Sequence, residues 1–231
     1  MTMPERLTIV GDLERPDHYH LPADACCYFW GEYTRHADTG GRRWDYSPTN
    51  QLIANFKKRP NRQGCSDWHH KGRAINMVAT CFSQSWQWGV LHEKYHPALI
   101  PMPPSKPRTD PLFDDRMSKV LTEMATQTGL PLDIRDCLTF SGRYAASHES
   151  EERPSPDELY ADIAFDEIAG RRNDRPGVIY LFDDMLTTGA HYVAATRKLA
   201  DVFPGVPIVG NFIARRRIPN PFANVGEFLD F

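Results

Sequence analysis

Residues 178 to 190 read Val-Ile-Tyr-Leu-Phe-Asp-Asp-Met-Leu-Thr-Thr-Gly-Ala, and no other stretch constrains the chain as tightly. An apolar run, Val178 to Phe182, leads directly into the carboxylates Asp183 and Asp184. A continuous apolar run rich in β-branched and aromatic residues suits a strand buried on both faces of a parallel sheet. In open α/β sheets ligands bind beyond the carboxyl ends of the strands, so the two acids are expected at a cleft. There they can accept hydrogen bonds from sugar hydroxyls or face a divalent cation. Met185, Leu186, Thr187, Thr188, Gly189 and Ala190 follow, offering backbone amides and two hydroxyls where a helix is expected to begin. Such a loop can cradle a phosphate, because free amides and the helix dipole both favour an anion.

Two other uses of an acidic strand end are excluded by neighbouring residues. A dehalogenase-type phosphatase carries a second Asp two positions after its nucleophile, where Met185 and Leu186 stand. A Walker-B strand accompanies a Gly-x-x-x-x-Gly-Lys-Ser/Thr loop, and the sequence contains no Gly-Lys pair.

The chain has 231 residues and a net charge of −3, which argues against a general nucleic-acid surface. Arg42-Arg43, Lys57-Lys58-Arg59 and Arg215-Arg216-Arg217 are short clusters that read as solvated surface or the rim of an anion site. Met1 to Arg15 lacks an apolar core of the signal-peptide kind, and no run approaches the ~20 apolar residues that span a bilayer. A cytosolic protein without membrane contact is expected. The five cysteines, Cys26, Cys27, Cys65, Cys81 and Cys137, show no Cys-x-x-Cys spacing and read as reduced thiols rather than disulfides or a zinc ribbon.

Along the chain, Ala25 to Tyr33 is a strand candidate. Ser47-Pro48 opens a helix that Pro60 stops, and Ile75, Val78, Ala79, Phe82 and Trp86 give a second helix one apolar face. From about residue 97 strands and helices alternate. Ala98 to Met102 reads as a buried strand, and Asp110-Pro111 as the start of a helix carrying Met117, Val120, Leu121 and Met124 and ending at Gly129. Leu132 to Thr139 reads as a strand, 141 to 155 as a long polar loop, Gly189 to Phe203 as a helix and Val206 to Ala214 as a strand. This alternation predicts an α/β fold with a doubly wound parallel sheet, divided into an N-terminal appendage over 1–90 and a core over 91–231.

The order of apolar strand, two acids, two variable residues and Thr-Thr-Gly resembles the signature with which type I phosphoribosyltransferases bind 5-phosphoribosyl 1-pyrophosphate (PRPP). Within that superfamily the chain is most similar to ComF-like and orphan members. The similarity spans 45–214 and includes a helix ending in Phe56-Lys57, the Ile100-Pro101-Met102-Pro103 strand end and Asp136-Cys137-Leu138. The cysteine-rich N-terminal ribbon of ComF proteins and their Arg-Gly-Phe-Asn-Gln-like segment are absent. The resemblance implies a hood-like or α+β role for 1–90 and transfer of the phosphoribosyl group from PRPP to a nitrogen nucleophile, releasing pyrophosphate. Asp183 and Asp184 would hold the ribose hydroxyls and, through them or water, Mg²⁺. Residues 185 to 190 would hold the 5-phosphate. Pro104, Ser105 and Lys106 would form the pyrophosphate loop, with Lys106 and Arg108 drawing off the leaving group, and Arg143, His148 and Arg153 would belong to a flexible lid. Thr187 stands where 6-oxopurine salvage enzymes carry an Asp, which turns the expectation away from hypoxanthine or guanine. The nitrogenous acceptor is open, with His18, His20, Trp30, Tyr33 and Trp44 as candidate contacts. A homodimer is a further expectation. Two alternatives accompany the enzyme reading: a non-catalytic regulatory protein that binds PRPP or a nucleotide, and an effector subunit with a protein partner in a DNA-uptake, stress or phage-defence assembly.

Overall fold

The computed structural model describes residues 7–142 and 154–218. The lid candidates Arg143, His148 and Arg153 lie outside the described residues. The chain forms an α/β fold around a six-stranded sheet. Its strands are β1 (Thr8–Ile9), β2 (Cys26–Thr34), β3 (Ala98–Pro101), β4 (Asp133–Ile134), β7 (Ile179–Leu186) and β8 (Ile208–Arg217), in the order β1-β2-β8-β7-β3-β4. Only the edge pair β1–β2 is antiparallel; the other neighbours run parallel. A separate antiparallel pair joins β5 (Leu138–Phe140) to β6 (Ile163–Phe165).

The apolar run ahead of Asp183 lies at the centre of the sheet as expected, with Ile179 to Phe182 all buried. Ile179 and Leu181 pack into one hydrophobic layer, Tyr180 and Phe182 into the other. The first layer is roofed by α7 (Ala190–Val202) through Ala194, Ala195 and Leu199, and it includes Leu159 of α5 (Pro156–Asp162). The second is roofed by α1 (Pro48–Phe56), α2 (His69–Ser85) and α4 (Arg116–Thr128), and includes Trp88 of α3 (Trp88–Tyr95). A short helix, α6 (Glu167–Gly170), precedes β7.

This layering fixes where the site can be. The chain passes from β7 through α7 to β8 on one side, and from β3 through α4 to β4 on the other. Parallel crossovers share one hand, so crossovers in opposite directions must cover opposite faces, as α7 and α4 do. The crevice between the carboxyl ends of β3 and β7 is therefore a topological switch point, the usual ligand position in such sheets.

Several local signals act as the sequence suggests. Ser47 caps α1 by accepting a 3.0 Å hydrogen bond from the Asn50 amide, with Pro48 in the first turn. Gly129 ends α4 in the left-handed conformation at φ 66°. Other expectations are revised. The helix expected from Asp110-Pro111 begins only at Arg116; Asp110 instead caps a turn, accepting the Leu112 amide at 2.7 Å. The strand expected over 132–139 is broken in two. Arg135 is almost wholly buried between the halves, and its guanidinium holds Asp133 at 2.6 Å and the carbonyls of Gly170 and Asp174 at 2.8 and 2.6 Å. Satisfying that buried cation turns the chain out of the main sheet. β2 runs parallel to β8 in the same sheet, and α1 and α2 share one core with α4.

Phe182 is fully buried and meets Phe82 edge to face at 5.0 Å between ring centroids, joining the central strand to α2. Phe182→Ala is expected to cost about 3–5 kcal/mol through lost burial and the cavity left behind. A loss of unfolding free energy below that range, obtained from the urea midpoint and slope, would show that the strand and α2 are not packed as one core.

Candidate functional site

At the carboxyl end of β7 the two acids occupy different environments. The Asp184 amide donates to Asp183 Oδ1 at 2.7 Å. Asp184 is buried and engages two cations. Lys57, at the end of α1, brings Nζ to Oδ1 at 2.7 Å. Arg116, at the start of α4, brings Nη2 and Nε to Oδ2 at 2.6 and 3.1 Å. The third nitrogen of Arg116, Nη1, reaches Asp114 at 2.7 Å, and the guanidinium lies 5.6 Å from the centre of the Phe56 ring. Asp114 in turn holds Lys71 at 2.7 Å, whose buried ammonium also donates to the carbonyls of Phe56 and Lys58. A chain of charge thus links α2, the segment before α4, α4, β7 and α1.

Burial and the neighbouring Asp184 charge push the Asp183 carboxyl well above the ordinary carboxylate range, against the pull of Lys57 and Arg116. Burial acts in the same direction on Asp184, but there Lys57 and Arg116 outweigh it and hold the carboxyl below that range. The adjacent acids are therefore split into one that resists ionisation and one that stays charged.

Both acids line the switch-point cleft with Pro104, Arg108, Ser118 and Asp136. Its enclosed space is about 30 Å³, room for only about two waters. Arg108 borders the cleft but is engaged by Asp136, 2.7 Å to its carboxylate and 3.2 Å to its carbonyl. Lys106 pairs with Asp110 at 3.6 Å, and neither it nor Ser105 lines the cleft. Of the expected pyrophosphate-loop residues, only Pro104 borders the cleft.

The expected phosphate cradle has the right local form and an unexpected cover. Strand β7 ends at Leu186, Gly189 takes φ 91°, and α7 starts at Ala190. Residues 185 to 190 do not line the cleft, and Thr188, Gly189 and Ala190 are buried. A strap from the N-terminal region lies across them. The buried His18 ring bonds through Nδ1 to the Thr187 carbonyl, and the His20 amide donates to the Thr188 carbonyl at 3.0 Å. Leu21 lies so close to Gly189 that a Cβ there would sit 2.9 Å from Leu21 Cγ. The strap is fastened by Asp17, which pairs with the buried Arg215 of β8 at 2.8 Å. Burial lowers the His18 pKa, with the Thr187 carbonyl opposing, so the neutral ring donating from Nδ1 suits this contact. Among the other acceptor candidates, Trp30 is buried in the core and Trp44 is exposed.

No model of a known protein family matches the chain, and no curated protein matches it. The site therefore stands on its own chemistry. The donor set at the acid pair does not fit a divalent metal bound directly to Asp184; the Mg²⁺ expected above would be held through ribose hydroxyls or water. Both oxygens of Asp184 are taken by cations, and no three His, Cys, Asp or Glu residues converge on one point among the described residues.

Sequence reasoning missed Lys71, Asp114 and Arg116, the pairing of Lys57 with Asp184, and the strap that His18 and His20 form over the loop. Phe56-Lys57 was visible as a helix end, and the Lys57 cluster as a candidate anion-site rim. Nothing in the spacing ties Arg116 to an acid 68 residues away.

The split acids predict opposite effects on stability. The raised Asp183 carboxyl carries a penalty that is absent below the ordinary carboxylate range and grows as pH rises through its folded value. Asp183→Asn should therefore raise the melting temperature at about pH 8 and change it little at about pH 4. The lowered Asp184 carboxyl contributes stability above the ordinary range that is lost as pH falls through its folded value. Asp184→Asn should cost about 1–3 kcal/mol near neutrality by leaving Lys57 and Arg116 short of a partner. Melts of both variants at the two pH values check this, and equal shifts for both would refute the split.

Proposed function

We propose that the chain binds PRPP in the crevice between β3 and β7 and transfers its phosphoribosyl group to a nitrogen nucleophile. The observation that carries this reading is the course of the chain at the switch point. One central strand delivers Asp183 and Asp184 to the cleft, then passes through Thr187-Thr188-Gly189 into α7.

The chain's own residues support the following roles. Asp183 is the acid at the strand end not held in an ion pair, and accepts from the ribose hydroxyls. Asp184 keeps Lys57 and Arg116 beside that position, so a negatively charged leaving group forms next to positive charge in a poorly hydrated cleft. Arg108, which also borders the cleft, exchanges Asp136 for an anionic group of the ligand. The amides around Thr188 and Gly189 receive the 5-phosphate once residues 18–21 lift away. Holding the ribose at both ends supplies positioning rather than proton chemistry.

Binding without turnover is a second reading. It is favoured by the closed resting arrangement, in which Lys106, Arg108 and Asp184 all have partners within the chain. Pyrophosphate release over a panel of bases, amines and nucleotides separates the two readings.

Calorimetric titration with PRPP tests the site. The wild type is expected to bind, and Asp183→Asn to weaken binding by about tenfold or more through the lost carboxyl acceptor for the ribose hydroxyls. Equal binding by both would remove Asp183 from the site. No binding by the wild type would end the reading.

A further inference from the structure

The ion pairs around Asp184 carry a surplus of positive charge. Lys57, Lys71 and Arg116 stand against Asp114 and Asp184, three cations to two carboxylates, with Asp183 the remaining acid at the strand end. The cations are not equivalent. Arg116 commits Nε and Nη2 to Asp184 and Nη1 to Asp114, and it lies over Phe56. Lys71 is buried, with an acid and two carbonyls around its ammonium. Lys57 has Asp184 as its carboxylate partner, and its side chain is 39% exposed against 20% for Arg116.

A lysine ammonium is a compact charge on a flexible stem, whereas the arginine fork is held by its geometry. Lys57 can therefore swing toward an incoming anion while Arg116 keeps Asp184 paired, so no buried carboxylate is left bare. Arg116 is the less mobile of the two, because three of its nitrogens are committed to two acids. A divalent metal at the same place would have to displace one or both cations from Asp184. It would then sit beside the buried Arg116, with like charges close together in a poorly hydrated environment.

Lys57 stands beside Asp184 but is not among the residues that line the cleft. We propose that Lys57 and Arg116 stand in for a divalent metal at the acid pair, and that Lys57 swings from Asp184 onto a pyrophosphate group taken up in the cleft without a bound metal ion. The choice of pyrophosphate rests on the reading given under the proposed function; the exclusion of metal rests on the occupied oxygens of Asp184 alone. Lys57 is the movable contact, Arg116 the fixed one.

The experiment is calorimetry with inorganic pyrophosphate in the presence of EDTA, on the wild type, Lys57→Met and Lys57→Arg. Mn²⁺ uptake by the wild type, Lys57→Met and Asp184→Asn is followed by electron paramagnetic resonance. Pyrophosphate should bind the wild type in the chelator and bind Lys57→Met about tenfold or more weakly, the loss of one charge-assisted contact. Lys57→Arg should keep most of the affinity. The wild type should take up no Mn²⁺ at low millimolar concentration, whereas Lys57→Met, with an Asp184 oxygen released, should take up more.

The proposal is overturned by pyrophosphate that fails to bind in EDTA or binds only with Mg²⁺, and by unchanged affinity in Lys57→Met. Saturable Mn²⁺ uptake by the wild type that Asp184→Asn abolishes overturns it too. Circular dichroism melts identify a variant that does not fold, and the wild-type measurements with EDTA and Mn²⁺ then decide on their own. A wild type that binds pyrophosphate in EDTA but not PRPP would remove the transferase reading and leave this inference standing. PRPP bound only with Mg²⁺ would do the reverse.

Discussion

The bond between Arg116 and Asp184 is the contact from which the functional end of the molecule is organised. Taking either charge out of water is costly, and a single pair in a dry crevice seldom recovers that cost. Here the cost is shared. Arg116 spans two acids, Asp184 accepts a second cation from Lys57, and Asp114 accepts Lys71. Because Arg116, Asp184, Asp114 and Lys71 each have further partners, the network's main effect is on geometry. It holds the end of α1, the start of α4 and the tip of β7 in one register, and the aliphatic core beneath them could not do this. Hydrophobic contact is non-directional, whereas an arginine fork accepts carboxylates in few orientations.

The same network gives the adjacent acids different characters. Two neighbouring carboxylates on one strand would ordinarily look interchangeable. Placing both cations on Asp184 leaves Asp183 facing the cleft with little compensation, so it resists ionisation while its neighbour does not. This asymmetry underlies the proposed division of labour, with Asp183 turned to the ligand and Asp184 holding positive charge in place. It also explains why a metal fits poorly where a pair of acids would at first invite one.

The loop after β7 illustrates a second kind of control. Its glycine, its left-handed turn and the helix behind it are local features, and they form as the residues Thr187 to Ala190 suggest. Whether its amides meet solvent is decided by distant residues. His18, His20 and Leu21 lie across the loop, and Asp17 fastens them to Arg215 at the far end of the chain. Access to the loop thus depends on a segment whose own sequence shows no regular pattern.

Much of the layered core was legible in the residues. A central apolar strand, the capped helix at Ser47-Pro48 and the stripe of Met117, Val120, Leu121 and Met124 all rest on short-range rules of burial, capping and periodicity, which act within a few turns of chain. The break at Arg135, the late start of α4 and the short α3 were not legible, because each answers to partners far along the chain. Arg135 needs the carbonyls of Gly170 and Asp174, and α3 turns chiefly on burying Trp88. At the site, the sequence alone determined that two acids and a Thr-Thr-Gly turn stand at a strand end, since strand, loop and helix are set by adjacent residues. Tertiary structure alone decided that Lys57 and Arg116 occupy one of those acids and that His18 to Leu21 cover the turn. Coulombic and packing contacts act through space, and the order of residues does not record which distant groups will meet.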